Sequence, residues 1–316
     1  MKRLHTVPDT AAPGARVDRY LSDELQISRA KLKALFEAGL VRIDGRRVPK
    51  GALVPPGARI EIELPDEPTQ GALQPEPEQP LAVLYEDTAL VVLDKPAGVP
   101  AHALDASDRG SLAGALIARY PECAWASPDA PFEGGIAHRL DTETSGVILA
   151  ARTPQTYQAL RERFACRRIE KRYAALVGGL PTERGEIALP IAHHPTDPKR
   201  MVACADEALQ ARLKAREALT RYTLQAWHAD DFALLDVEIP TGVRHQIRVH
   251  LASIGAPIAG DRLYGGPAID GLERHFLHAR HIALDHPSTG KRIEIEAPLP
   301  RDLTDVLERL AHGATR

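Results

Sequence analysis

Apolar positions near the start of the chain fall first at helical and then at strand spacing. Val17, Tyr20, Leu21 and Leu25 recur every three or four residues, which places them on one face of a helix. A second helix is expected after Ser28, whose hydroxyl can cap it, with Leu32, Leu35 and Phe36 facing inward. Gly39 stands where a helix of that length should close. Short strands follow at 41–43 and 60–64, with a turn at Asp44-Gly45 after the first. Further on, the runs 81–85 and 89–93 flank an acidic turn at Glu86-Asp87. Strands are also predicted at 146–151, 173–177, 222–226 and 232–239, and a helix over 154–164 with Pro in its first turn. Helical segments are too few and too short for a βαβ repeat. The expected class is therefore α+β with a largely antiparallel sheet.

Residues 65–80 interrupt this pattern. They are rich in Pro and acid and nearly free of apolar side chains, so they suit a stiff, extended linker. The expected organisation is a small module over 1–64, a linker over 65–80 and a large domain over 81–316. A chain of 316 residues has room for both domains.

Composition refines this only in part. The chain is 44% hydrophobic and 26% charged, ordinary for a soluble globular protein. Only 4% is aromatic, so the core must be built from Ala, Leu, Ile and Val. A net charge of -3 does not announce a nucleic-acid partner, so any such signal must be local. One local excess exists. Arg29, Lys31, Lys33, Arg42, Arg46, Arg47 and Lys50 face only Glu37 and Asp44 over 29–50. A basic helix beside a basic hairpin suits phosphate contacts, although a solvated face would carry the same charges. There is no secretory pattern, and no apolar run reaches the length of a membrane span, which points to a cytoplasmic chain without membrane contact. Cys123, Cys166 and Cys204 are isolated and read as reduced thiols.

Three segments carry candidate chemistry. The first is 134–146, GGIAHRLDTETSG, a glycine-flanked loop leading into a strand, with Asp141 between basic and hydroxyl residues. Asp141 could equally be a turn residue capping its own loop. The second is Lys171-Arg172-Tyr173, a tyrosine entering a strand beside cations, as in sites that stack a base and hold its phosphate. The third is 241–251, TGVRHQIRVHL. Helical spacing from Arg244 puts Ile247 and Leu251 on one face, and Arg244 and Arg248, four apart, share a face, so those cations require anionic partners. The spacings of His275, His278 and His281, and of His245 and His250, invite a zinc site, but the cysteines are too scattered to complete one. No metal is expected.

Together and in this order, these segments resemble the RluA family of pseudouridine synthases. The stretch 138–146 resembles the family's catalytic loop, and 95–102, KPAGVPAH, its first motif. The segments 260–265, GDRLYG, with Leu277-His278-Ala279 and His286-Pro287, resemble its C-terminal signatures. Residues 16–21, Ser28-Arg29 and 41–45 resemble the αL-type RNA-binding domain of a small-subunit ribosomal protein. Val243, where a basic residue is expected, and Ala103, in place of a proline, depart from the pattern. The resemblance implies an αL-type module joined to a synthase domain with a mainly antiparallel mixed sheet flanked by helices and loops. It also implies isomerisation of uridine to pseudouridine in structured RNA. Asp141 would be the catalytic carboxylate, Tyr173 would stack on the target uracil, and Arg248 would pair with Asp141. Arg139 would assist base flipping. His138, Lys95, Lys171, Arg172 and Arg244, with Arg29, Lys33, Arg46 and Arg47 of the module, would lie toward the RNA. The reaction has no redox step and no net hydrolysis, so no cofactor is implied. The expected partner is large-subunit ribosomal RNA, bound by a monomer. A tRNA substrate and a non-catalytic RNA-binding or ribosome-assembly role remain the alternatives.

Overall fold

The computed structural model describes residues 2–6, 16–25, 32, 35–36, 39–55, 57–63, 73–105, 107–179, 182–228 and 231–313. Ser28, Arg29, Lys31, Lys33 and the first half of the expected linker, 65–72, lie outside them. The chain divides into two compact units, 1–72 and 73–316.

The smaller unit contains a helix, Val17–Leu25, and a four-stranded sheet. Its strands are β1 (Lys2–Thr6), β2 (Val41–Ile43), β3 (Arg46–Arg47) and β4 (Arg59–Glu63), in the order β1-β4-β2-β3. Val17, Leu21, Leu32, Leu35, Val41, Ile43, Ile60 and Ile62 form its core, as their spacing requires. Gly39 has φ 69°, and the N–H groups of Gly39 and Leu40 donate to the carbonyls of Phe36 and Leu35 at 3.0 and 2.9 Å. These two bonds are the pattern with which a left-handed glycine ends a helix. Asp44 and Gly45 both have positive φ, 50° and 78°, as a two-residue hairpin turn demands. Strand β1 was not foreseen, because its pattern shows nothing until β4 supplies an antiparallel partner.

The larger unit begins earlier than its hydrophobic pattern suggests. Leu73 is buried against Leu112, Leu116 and Ile117. Glu76 accepts the N–H of Gly110 at 2.7 Å, and the Gln79 amide donates to the Gly110 carbonyl at 3.1 Å. Residues 73–80 are therefore docked rather than linking. One buried leucine and two polar side chains paired with backbone groups suffice, despite the prolines.

This unit is organised by a nine-stranded sheet. Its strands are β5 (Ala82–Glu86), β6 (Leu90–Lys95), β7 (Ser145–Ala151), β8 (Glu170–Gly178) and β9 (Arg184–Ile187). After a separate hairpin of β10 (Ile191–His193) and β11 (Met201–Ala203) come β12 (Thr220–His228), β13 (Phe232–Glu238), β14 (Leu277–Asp285) and β15 (Arg292–Glu296). The order is β5-β6-β7-β14-β8-β13-β12-β9, with β15 also pairing β14. Among the described residues, every pairing in it is antiparallel except β7 with β14, so the sheet is mixed and mostly antiparallel, as expected. Helix Pro154–Ala165 is capped by Thr153, which accepts the Thr156 N–H at 3.2 Å, and it buries Leu160. Helices Leu112–Arg119 and Arg301–Gly313, not foreseen, bury Leu112 and Leu116, and Leu303 and Val306.

The parallel pair joins the candidate catalytic loop to the C-terminal part of the chain. Ser145 and Gly146 lie opposite His278 and Ala279. Gly146 has φ 116°, and a Cβ there would stand 2.2 Å from the Ala279 carbonyl oxygen. Gly146→Ala is expected to cost about 2–4 kcal/mol, combining backbone strain with a clash against backbone that cannot turn aside. Urea unfolding followed by circular dichroism measures this, and a loss under about 1 kcal/mol would show that the strands separate easily.

Candidate active site

Asp141 lies in the loop entering β7, and several backbone contacts fix the loop. The Thr144 N–H donates to the Asp141 carbonyl at 3.0 Å. The Gly98 N–H donates to the Thr142 carbonyl at 2.9 Å. Beyond Asp141, Arg274 donates to the Glu143 carbonyl at 3.0 Å and to Ser145 Oγ at 3.2 Å, while its Nε donates to Asp302 at 2.7 Å. Thr144 Oγ1 is 2.8 Å from His275 Nε2. The carboxylate is thus carried on a rigid turn.

Arg248 comes from helix Gln246–Ser253 and is buried. Its Nη1 donates to Asp141 Oδ2 at 2.9 Å. Its Nε and Nη2 donate to both oxygens of Asp261 at 2.7 and 2.9 Å. The guanidinium plane therefore bridges two carboxylates, one of them fully buried. Burial works against the charge on Arg248, but the bonds and charge of Asp261, followed by Asp141, outweigh it and raise its pKa. Burial likewise opposes ionisation of Asp261, and Arg248 reverses this, holding that carboxyl below the usual range. The Tyr264 ring packs 5.1 Å from the guanidinium carbon.

Tyr173 enters β8 and is buried near the loop. Burial, then the charge on Asp141, pushes its phenol up, so it stays protonated. Asp141, Tyr173 and Arg248, singled out from three distant segments, thus meet in one place. Arg139 is exposed two residues before Asp141.

Other residues expected toward RNA have different places. Lys95 is fully buried, and its Nζ donates to the carbonyls of Pro96, Val99 and Thr142 at 2.8, 2.7 and 2.9 Å. Burial pulls its pKa down to about 7, against the charges of Glu143, Asp141 and Asp94. Three carbonyl acceptors nevertheless match the three donors of an ammonium group. Lys95 is therefore an internal tie of the candidate catalytic loop, not an RNA contact. His138 is half-buried. Its Nε2 accepts the Leu149 N–H at 2.9 Å, and burial, then the nearby Lys171, lowers its pKa to about 3. It is neutral and structural. Lys171 is buried, donates to the Thr241 carbonyl at 3.1 Å, and is lowered to about 8 by burial. Cations beside a loop signal surface contacts only if their side chains point outward, and these turn inward.

Arg172 is exposed, 3.5 Å from Asp236. Arg244 is exposed and donates to the carbonyls of Pro198 and Lys199 at 3.2 and 3.4 Å. It does not share a helix face with Arg248. The helix starts only at Gln246, after a left-handed His245 with φ 55°, so the four-residue spacing does not apply. Val243 is buried with Ile191, Met201, Ala218 and Val249 and cannot replace a phosphate ligand. Arg46 and Arg47 are exposed in the smaller unit. His275 faces Thr144, His278 lies 2.9 Å from Ser145 Oγ, and His281 lies 3.8 Å from Glu294.

Asp261, His245, Tyr264 and Arg274 were given no role from the sequence. Asp261 had one available signal. A buried arginine holding one carboxylate by one nitrogen leaves other donors to satisfy, and a Gly-Asp turn nearby could do so.

Residues 89–253 match the family model described as RNA pseudouridylate synthase. An uncharacterized RNA pseudouridine synthase of Chloroflexus aurantiacus is 40% identical, over 99% of this chain and 95% of that one. A ribosomal large subunit pseudouridine synthase D of Xanthomonas campestris pv. campestris is 35% identical, over 99% of this chain and 94% of that one. Among solved structures, the human RNA pseudouridylate synthase domain containing 4 superposes with a TM-score of 0.54 at 27% identity, covering 72% of this chain and 92% of that one.

Asp261→Ala is expected to cost about 3–5 kcal/mol, because it leaves a buried cation short of its main partner. The sign with pH follows from the depressed pKa of Asp261. Its contribution is complete above the unfolded carboxylate value of about 3.9 and is lost as pH falls through the lower folded value. Unfolding midpoints measured from pH 7 to pH 2 should therefore fall less steeply at the acid end in the variant. Parallel curves would remove Asp261 from this role.

Proposed function

This chain belongs to the RNA pseudouridylate synthase family, and from that premise we propose that Asp141 is its catalytic carboxylate and large-subunit ribosomal RNA its substrate. The chain is an RNA pseudouridine synthase and isomerises uridine. The observation that carries the residue assignment is the 2.9 Å bond from Arg248 to Asp141 within the matched region. The ribosomal substrate is supported by the name of the Xanthomonas relative.

The reaction breaks the N1–C1′ bond, turns the uracil and joins its C5 to C1′. A glycosidase sets a second carboxylate to protonate its leaving group. Here the base must be kept and re-attacked, and one carboxylate at the sugar serves. Arg248 engages Oδ2, and we assign Oδ1 to the reacting carbons of the sugar, whether it bonds to C1′, steadies positive charge there or takes the C2′ proton. Tyr173 stacks on the uracil, and its protonated phenol adds no charge. Stacking of this kind is worth roughly 1–3 kcal/mol. It offsets part of the few kcal/mol spent in drawing the base out of its helix. In this reading Arg139, which is exposed, assists the flipping of the base. Arg46 and Arg47 of the smaller unit bind phosphate.

Asp141→Asn preserves shape and removes charge. Tritium release from C5-labelled uridine in ribosomal RNA should fall below detection, while RNA binding persists. Release within tenfold of the wild type would sink the assignment. Replacing Arg46 and Arg47 together with Ala should raise KM and leave kcat on saturating RNA nearly unchanged. The slope of log affinity against log salt should become shallower by about 1–2, the share of two phosphate contacts. An unchanged slope would return the hairpin to a solvated surface.

A further inference from the structure

His245 stands immediately before helix Gln246–Ser253, and its backbone is left-handed, with φ 55°. That conformation is unfavourable for a residue with a Cβ and concentrates at functional sites. Its side chain is only 10% exposed. Its Nδ1 lies 2.9 Å from Tyr264 Oη, and the same oxygen accepts the Met201 N–H at 2.8 Å. With a backbone amide already donating to it, the tyrosyl hydroxyl directs its single proton at Nδ1. Burial lowers the imidazole to about 4, despite the opposite pull of Asp141 and with Arg248 and Arg244 adding to the depression. The ring is neutral, and its one N–H is on Nε2.

Nε2 lies 3.9 Å from Asp141 Oδ2. The gap is too long for a direct hydrogen bond, but an oxygen can stand about 2.8 Å from both groups. Such an oxygen must accept from the imidazole and donate to the carboxylate. A hydroxyl does both, whereas a uracil carbonyl only accepts. In a nucleotide whose C1′ faces Asp141, the neighbouring hydroxyl is the ribose 2′-OH.

We propose that His245 is a substrate-binding residue: its Nε2–H donates to the 2′-hydroxyl of the target uridine while that hydroxyl donates to Asp141 Oδ2. The site thereby distinguishes ribose from deoxyribose at the reacting nucleotide itself, through the one group that differs. Tyr264 is the positioning residue that fixes the imidazole tautomer. The inference rests on the assignment of Asp141 to the sugar.

The test uses inert RNA. A ribosomal fragment on which the wild type releases tritium is resynthesised with pseudouridine at the target, carrying either ribose or 2′-deoxyribose, and affinities are measured by filter binding. Tritium release tests the substrate reading, and the ribose-to-deoxyribose affinity ratio tests His245. The wild type should favour ribose by about tenfold, the worth of one well-placed hydrogen bond. His245→Asn accepts the left-handed backbone but lacks a donor at the Nε2 position. It should bind both RNAs alike, with wild-type affinity for the deoxyribose form. His245→Gln, whose amide nitrogen reaches toward that position, should recover part of the preference. Tyr264→Phe releases Nδ1 and should shrink the ratio with His245 intact, which gives a second measurement if the Asn variant folds poorly. A wild type indifferent to the 2′-OH, or a His245→Asn variant weakened equally on both RNAs, would overturn the proposal.

Discussion

The site depends on one buried guanidinium shared between two carboxylates. Arg248 gives two donors to Asp261 and one to Asp141. Taking a charge out of water is costly, and a fork of donors matched to a carboxylate recovers that cost best. Asp261 supplies the matched partner, fully buried and doubly bonded, and so fixes the plane of the guanidinium. Asp141 receives the remaining arm. The trio carries a formal net charge of -1, so Asp141 shares its cation and has none of its own. Lysine could not substitute, since a point ammonium has no plane with which to orient both partners.

The surroundings keep that arrangement rigid. Lys95 ties the loops on one side through three carbonyls, and Arg274 ties the other side to Asp302 at the start of the last helix. Buried cations bonded to carbonyls do little work at the surface but hold backbone in place. Of the cations expected toward RNA, the exposed ones among the described residues are Arg139, Arg172 and Arg244 in the larger unit and Arg46 and Arg47 in the smaller.

Much of this was legible in the sequence, for reasons that differ by residue. Gly39 and the Asp44-Gly45 turn are local, with conformations set by the residues themselves, and the structure has them as expected. Asp141, Tyr173 and Arg248 were identified as a set because their motifs resemble a family, not because spacing could bring them together. The inward turn of Lys95 and Lys171 was not legible. Their acceptors include the carbonyls at residues 142 and 241, whose proximity exists only in the fold. The docking of 73–80 was hidden for the same reason, since its partners are the backbone groups of Gly110 and Gly114. The left-handed His245 broke the helical reading of Arg244, because a cap one residue long removes the periodicity the argument assumed.

The parallel pairing of Ser145 and Gly146 with His278 and Ala279 has a consequence in time. Chain emerging from a ribosome in order presents the Asp141 loop long before the strand that closes over Gly146. Pairings between residues so distant in sequence are also the slow ones to form. Asp261 and Arg274 belong to that same late portion. During synthesis, Asp141 is therefore exposed without its arginine held in plane and without its loop anchored. Competence to act on RNA should arrive as a single late event near the end of translation, when the last strands zip into the middle of the sheet.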